Sequence, residues 1–191
     1  MEQLLTDINT CRICELFLPN PPKPIISVNV QSKILIIGQA PGQKVQNSGV
    51  PWDDLSGNEL RRWLNISYEQ FYNTNLIGIM PMGMCFPGTG KYGDLPPRKE
   101  CASTWHKKVI EHMPEIQLTL LIGKYAQDYY LGNLSKENLT QTVKNHKIYL
   151  PKYFTLPHPS PRNKIWMKKN NWFEIDVIPE LQHIVAQIIN S

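Results

Sequence analysis

The segment KILIIGQAPGQ (residues 33–43) decides the fold class of this chain. Its four consecutive apolar residues, 34–37, have the length and composition of a fully buried strand. Gly38, Pro41 and Gly42 follow at once and are typical of a tight loop. A buried strand that runs into such a loop is characteristic of α/β proteins. The loop contains no acid, no nucleophile and no phosphate-loop lysine, so its backbone N–H groups are its main chemical resource.

Strand-like and helix-like segments alternate along the rest of the chain. Further strands are predicted within residues 71–80, 117–123 and 152–156, and helices over residues 57–64, 101–113, 124–132 and 176–189, with Ser56 as the N-cap of the first helix. The alternation predicts a three-layer α/β/α sandwich around a central, mostly parallel four-stranded sheet. We expect one domain over residues 1–191, in which residues 1–24 form a cysteine-bearing N-terminal segment packed on the core.

Length and composition favour a water-soluble globular protein. The 191 residues suffice for one sizeable core, and no apolar run has the length of a membrane span. The N-terminus lacks the pattern of a signal peptide, so we expect a cytoplasmic protein without membrane association. The net charge of +4 is compatible with a polyanionic partner. Basic residues cluster at Arg61–Arg62, Lys107–Lys108 and residues 162–169, although a solvated face explains any one cluster equally well.

The GQAPG loop follows neither the dinucleotide-binding pattern nor the phosphate-loop pattern. Its glycines allow a backbone to approach a ligand closely, and its N–H groups can bind a carbonyl oxygen or an anion. An ordinary strand-to-helix turn has the same composition, so the motif alone leaves both interpretations open.

The second motif, HPSPRN (residues 158–163), follows the last predicted strand. Its two prolines fix the backbone around His158 and Ser160, which suits groups that must be held in place. His158 can donate a hydrogen bond to charge developing on a leaving group, Ser160 can bind a phosphate, and Arg162 can contact DNA. The alternative is a rigid loop with an exposed histidine. In a parallel sheet both motifs lie at the carboxyl ends of strands, where ligands bind.

Four cysteines, Cys11, Cys14, Cys85 and Cys101, form a C-x2-C pair and a second pair fifteen residues apart. Disulfides are uncommon in cytosolic proteins. Four thiolates suit either tetrahedral zinc or an iron–sulfur cluster, and unligated buried thiols are the third possibility.

GQAPG after the first strand together with HPSPRN after the last resembles the uracil-DNA glycosylase superfamily. HPSPRN is similar to the motif of the single-strand-selective monofunctional glycosylases, and GQAPG to that of the family-4 and family-5 enzymes. The stretches GVPWDDLSGNELRRWL (49–64) and QLTLLIGKYAQDYYLG (117–132) resemble family 4. The similarity covers about residues 11–185. It implies a monomeric base-excision repair enzyme that hydrolyses the N-glycosidic bond of a flipped deaminated base in DNA, with uracil as the leading candidate.

The resemblance also assigns residues to roles. The cysteines match the family-4 plan for a [4Fe–4S] cluster of structural function, and the chemistry itself needs no cofactor. His158, with Gln39 and Ala40, forms the catalytic set, and Trp52 stands where family 4 has a stacking aromatic residue. The base pocket is expected to comprise Gly38, Pro41, Gly42, Trp52 and Asn75. The DNA-binding residues are expected to be Ser160, Arg162, Asn163 and Lys164.

Three positions depart from the family pattern. Gln39 replaces a common Glu, and Ala40 replaces the water-positioning Asp or Asn of other branches, so the loop itself carries no acid or base. Asp53 and Asp54 are the nearest carboxylates in sequence. Pro81 stands where family 4 reads the uracil edge with Asn, and proline has no side-chain hydrogen bond to offer. A glycosylase for hypoxanthine or xanthine and a non-catalytic nucleic-acid-binding relative are therefore alternatives.

Overall fold

The computed structural model describes residues 1–91 and 93–191. A short antiparallel hairpin, β3 (Thr89–Gly90) and β4 (Gly93–Asp94), lies apart from the central sheet in a Gly/Pro-rich segment of the chain. The central sheet consists of β1 (Ile34–Ile37), β2 (Ile77–Ile79), β5 (Leu118–Ile122) and β6 (Tyr153–Leu156). These strands lie in the order β2-β1-β5-β6. The sheet was predicted to be mostly parallel, and all four of its strands are parallel.

Helices cover both faces of the sheet and complete the three layers. Their bounds are α1 (Glu2–Asn9), α2 (Gln43–Ser48), α3 (Leu55–Leu64), α4 (Tyr68–Tyr72), α5 (Lys99–Glu111), α6 (Lys124–Leu131), α7 (Leu139–Lys144), α8 (Lys164–Lys169) and α9 (Ile178–Asn190). The α/β/α sandwich predicted from the alternating pattern is confirmed.

The two faces of each strand supply two separate cores. Ile34 and Ile36 of β1 join the cluster formed with α3, α4 and α9, whereas Leu35 and Ile37 join the cluster formed with α1, α5 and α6. This alternation explains why the strand reads as a continuous apolar run, since a parallel strand in the middle of a sandwich is buried on both faces. Ile8 of α1 is fully buried in the second core, so the N-terminal segment packs on the sandwich.

Two local predictions need correction. Helix α3 begins at Leu55 and its N-cap is Asp54, whose carboxylate accepts the Gly57 N–H at 2.8 Å, rather than Ser56. The segment predicted as a strand from residue 71 to 80 contains the end of α4, and only Ile77–Ile79 is strand. The capping box of Ser67 and Gln70 starts that short helix, which explains why the β-prone aromatic residues Phe71 and Tyr72 are helical.

Candidate active site

A cavity of about 470 Å³ opens at the carboxyl edge of the sheet, where β1 and β6 end. All five residues of the GQAPG loop line it, together with Trp52, His158, Ser160, Arg162 and Asn163. Motifs that lie far apart in the sequence therefore share one cavity. Its size is typical of a small-molecule site.

Backbone pairing positions the GQAPG loop. The Met82 N–H donates to the Gly38 carbonyl at 2.9 Å, and the Gly83 N–H donates to the Gln39 carbonyl at 3.0 Å, so the pairing with the segment after β2 continues past the end of β1. Within the described residues, the N–H groups of Ala40 and Gly42 donate to no acceptor. Two backbone donors at the cavity wall are thus available to a ligand.

Trp52 forms one wall of the cavity. Its indole packs against Gly38 so closely that a methyl group on Gly38 would lie 2.8 Å from the indole Cζ2. The indole and the imidazole of His158 have ring centroids 5.5 Å apart. The backbone of Trp52 has a φ of 59°, a left-handed conformation that is costly for a bulky residue. The strained backbone presents a flat aromatic surface next to the histidine.

A hydrogen bond to its backbone holds His158. The Asn163 side-chain amide donates to the His158 carbonyl oxygen at 2.7 Å. Burial lowers the pKa of His158, and the negative charges of Asp54 and Asp94 only partly oppose that change. The imidazole is therefore neutral at neutral pH. In the described part of the chain, neither ring nitrogen has a hydrogen-bond partner, so the ring is available to a ligand in the cavity.

The rest of HPSPRN forms the rim. Ser160 accepts the Arg162 N–H at 3.3 Å and caps a single turn of 3-10 helix, Pro161–Asn163. The Arg162 guanidinium packs directly on Gly93 of the hairpin, and its side chain is exposed. Lys164, at the start of α8, is exposed and lies outside the cavity lining.

Asn75 is not brought to the site. It precedes β2, at the amino edge of the sheet, whereas the cavity lies at the carboxyl edge. The prediction that Asn75 lines the base pocket is corrected, because a residue before a parallel strand lies at the edge opposite to residues after it. Pro81, which follows β2, does line the cavity.

Two acidic residues line the cavity, Asp54 and Asp94. Asp54 is a candidate from the sequence, while its neighbour Asp53 lies outside the lining. Asp94, on the hairpin, is not predicted from the sequence. The only signal for it is an acidic residue in a Gly/Pro-rich segment, and sequence alone does not tell that this segment folds back over the GQAPG loop.

The four cysteines line a second, smaller cavity between the N-terminal segment and α5. Burial raises the pKa of Cys85 to about 11 and that of Cys101 to about 12. The Met84 N–H donates to the Cys101 sulfur at 3.4 Å. Among residues 1–91 and 93–191, no three His, Cys, Asp or Glu side chains are arranged to hold a metal ion.

The basic clusters differ in their surroundings. Arg62 pairs with Glu59 and Glu174, at 2.7 and 2.6 Å, and Arg61 lies over the rings of Tyr68, Phe71 and Tyr72, so this cluster serves the fold. Lys164, Lys168 and Lys169 are exposed on α8, which follows the HPSPRN rim in the chain. No helix in the described residues is long and apolar enough to span a membrane.

Residues 26–182 match the family model of the uracil DNA glycosylase superfamily. The chain belongs to this superfamily. Among solved structures, the wild-type SMUG2 of Pedobacter heparinus aligns with 14% sequence identity over 84% of this chain and 74% of that chain, with a TM-score of 0.35. Membership places the two motifs at the cavity in the context of glycosylases that act on DNA.

Proposed function

We propose that this protein is a base-excision repair glycosylase that hydrolyses the N-glycosidic bond of a deaminated base flipped out of DNA, with uracil as the leading candidate. One observation carries the proposal: a neutral histidine, two backbone donors and an indole face the same cavity. These are the groups that the departure of a planar, anionic leaving group requires.

Trp52 is the proposed stacking surface for the flipped base. A base inside the duplex is inaccessible, so the nucleotide must rotate out of the stack before it can react. Stacking on an aromatic ring recovers about 1–3 kcal/mol per base. Gly38, Pro41 and Gly42 would form the adjoining wall, where the two glycines have no side chain and let the ring approach the backbone.

His158 is the proposed stabiliser of the leaving group. When the bond between C1′ and the base nitrogen breaks, the electron pair leaves with the base, which becomes an anion, and the sugar becomes cation-like. A neutral imidazole N–H can donate to a carbonyl oxygen of that anion, and the N–H groups of Ala40 and Gly42 can assist. Water then adds to C1′ and gives up one proton, which reaches solvent, and the base anion takes a proton from solvent.

The rim supplies the proposed DNA contacts. Ser160, Asn163 and Lys164 lie where a phosphate backbone would pass if a base entered the cavity, and Arg162 can fill the gap that the base leaves. Phosphate contacts of this kind position the duplex without reading its sequence. The base is bound by one copy of the chain, and we propose that the protein acts as a monomer.

Gln39 is the proposed reader of the base edge, because Pro81 has no side-chain donor. The Gln39 amide lines the cavity, and its one hydrogen bond within residues 1–91 and 93–191 is a long one of 3.4 Å to the Leu95 carbonyl. An amide offers both a donor and an acceptor, so it can pair with uracil and equally with hypoxanthine or xanthine. Because the Gln39 amide can pair with all three bases, hypoxanthine and xanthine remain alternative substrates.

We propose that the four cysteines hold a family-4-like [4Fe–4S] cluster. Four thiols on one cavity match the ligand set, and the Met84 N–H donating to a cysteine sulfur is a contact found around such clusters. Cys11, Cys14, Cys85 and Cys101 would hold the cluster, whose role would be to tie the N-terminal segment to the segment after β2. Zinc bound by the same thiols is the alternative.

An assay of base release tests the proposed activity. Purified protein is incubated with oligonucleotides that carry uracil, hypoxanthine or xanthine, and abasic sites are then cleaved with alkali. We expect strand breaks with at least one of these bases and a strongly reduced yield with His158→Ala. Salt-dependent DNA binding without strand breaks at any of the three bases would contradict the glycosylase activity. It would favour the alternative, a non-catalytic nucleic-acid-binding relative.

Metal analysis and visible absorption test the cluster. We expect a brown protein with iron and acid-labile sulfide, and loss of both in Cys85→Ser and in Cys101→Ser. The variant Ser103→Ala, on the exposed side of α5, is the control and should stay brown. A colourless protein loaded with zinc, obtained with ample iron during expression, would overturn the cluster.

A further inference from the structure

The carboxylate of Asp94 borders the backbone donors of the GQAPG loop. A methyl group on Gly42 would lie 3.3 Å from Asp94 Oδ2. The other carboxylate oxygen, Oδ1, accepts a long hydrogen bond of 3.5 Å from the Thr89 hydroxyl within the hairpin. Oδ2 therefore faces the part of the cavity that holds the Gly42 N–H, which has no acceptor among the described residues.

The second acid of the cavity is already in use. Asp54 accepts the Gly57 N–H at 2.8 Å and caps α3, so its carboxylate is fixed by the fold. Of the acids that the described lining contains, Asp94 is the one without a capping role. The negative charges of both acids act on His158, which places Asp94 within electrostatic range of the group that faces the base.

The GQAPG and HPSPRN motifs each contact one sequence neighbour of Asp94. The Gln39 amide donates to the carbonyl of Leu95, and the Arg162 guanidinium packs on Gly93. The Leu95 N–H donates to the Gly88 carbonyl at 2.8 Å and closes the hairpin. A single acid in the middle of these contacts is positioned as a functional group would be, since the hairpin adds no core residue at this position.

We propose that Asp94 is the catalytic carboxylate that orients the attacking water and attracts the cation-like sugar. This inference rests on the proposed glycosylase function. As the C1′–N bond breaks, the water oxygen forms a bond to C1′, and one water proton passes to the Asp94 carboxylate and then to solvent. The base departs with the bonding electron pair and is protonated by solvent. Asp94 thus takes the role for which the GQAPG loop, with Gln39 and Ala40, has no acidic side chain.

Single-turnover base release with Asp94→Asn tests the catalytic role. General-base catalysis typically contributes about 10²–10⁴-fold, and we expect a loss of at least about 10²-fold. The affinity for intact DNA should stay within a few fold or improve, because a negative charge near the phosphates is removed. The control is Asp53→Asn, which removes the carboxylate next to Asp54 in the sequence, outside the cavity lining, and which should release base at the wild-type rate. Retention of the full rate in Asp94→Asn alongside an impaired His158→Ala would overturn the proposal.

A binding measurement tests the role of Asp94 without requiring base release. DNA with a cationic pyrrolidine in place of the sugar mimics the developing positive charge, and DNA with a neutral tetrahydrofuran is the matched probe. We expect the wild type to prefer the cationic probe by about tenfold or more, as for an unscreened charge pair near a protein surface. Asp94→Asn should lose that preference. If the wild type releases no base, the proposed function fails and the catalytic role of Asp94 fails with it. If the wild type releases base but shows no preference for the cationic probe, the role of Asp94 alone is overturned.

Discussion

Two histidines, the half-buried His158 and the fully buried His106, have very different surroundings. Nδ1 of His106 lies 2.7 Å from the Tyr130 hydroxyl, and its Nε2 lies 3.2 Å from the Pro81 carbonyl oxygen. The ring of His158 lies beside Trp52 at the cavity, and its nitrogens have no partner among the described residues. Burial lowers the pKa of both, that of His106 to about 4. The same physical effect gives one histidine a structural role and leaves the other as a neutral donor for a ligand.

The two histidines are connected through Pro81. Burial raises the pKa of Tyr130, so its hydroxyl stays protonated and donates to His106 Nδ1. Nε2–H then donates to the Pro81 carbonyl, and Pro81 lines the cavity that His158 faces. His106 therefore supports a wall of the cavity from behind, and the comparison predicts loss of activity for one histidine and loss of stability for the other.

The largest effect is expected at His158. Replacing it with Ala removes one donor to the leaving base, which typically costs on the order of 10²–10³ in rate. Single-turnover base release measures this, and the melting temperature should stay within a few degrees, because the ring makes no hydrogen bond within the described fold. The control is His112→Ala, an exposed histidine at the end of α5. A rate for His158→Ala within threefold of the wild type would contradict the assignment.

At His106 the expected effect is on stability in acid. The unfolded side chain binds a proton below about pH 6.5, whereas the folded one does so only near pH 4. The unfolded state therefore holds more protons between these values, and the free energy of unfolding falls as the pH is lowered through them. The loss is on the order of 3 kcal/mol at 1.36 kcal/mol per pKa unit. Burial of His158 acts in the same direction.

Chemical denaturation at several pH values between about 7 and 4 measures this loss. The variant His106→Gln keeps a hydrogen-bonding side chain but has no titrating group, so its stability should depend less steeply on pH than that of the wild type. His112→Ala again serves as the control, with the wild-type slope expected. Equal slopes for His106→Gln and the wild type would show that this histidine does not control acid stability.

Replacement of Trp52, which packs beside His158, should produce the next largest effect, on the binding of a flipped base. Its replacement by Ala removes the stacking surface, and the loss of about 1–3 kcal/mol corresponds to roughly 5–150-fold weaker binding of a flipped base. Affinity for DNA carrying an uncleavable base analogue measures it, and Trp52→Phe should recover part of the loss. If Trp52→Ala binds the analogue as the wild type does, the indole belongs to the packing of Gly38 and not to the base pocket.

The two histidines also show which features of the structure can be predicted from the sequence and which cannot. The strand Ile34–Ile37 and the sheet follow from apolar runs, because parallel strands buried on both faces have a distinctive composition. The convergence of GQAPG and HPSPRN follows from the rule that ligands bind beyond the carboxyl ends of strands. The role of His106 as a support of the cavity does not follow, since nothing in its helical surroundings indicates that its ring reaches Pro81.

The other differences between prediction and structure have similar physical causes. The assignment of Asn75 to the pocket requires a shift of the strand, but the paired register of Ile77 with Ile34 fixes Asn75 at the amino edge. Asp94 depends on a hairpin of four strand residues that folds over the GQAPG loop, and such a short element has no periodic pattern to detect. The sequence therefore predicts the elements of the sheet, but it does not predict the long-range contacts of the loops.

The smallest expected effect concerns the charged rim that continues from the His158 loop. Lys168→Ala should weaken DNA binding uniformly across sequences and reduce the slope of log affinity against log salt by about 0.9 for each phosphate that the lysine neutralises. Lys107→Ala, whose ammonium lies 3.9 Å from Glu111 on α5, is the matched control and should leave the slope unchanged. Equal slopes for both variants would mean that DNA does not pass over α8. The DNA would then have to pass over the other rim of the cavity, along the hairpin that Arg162 contacts through Gly93.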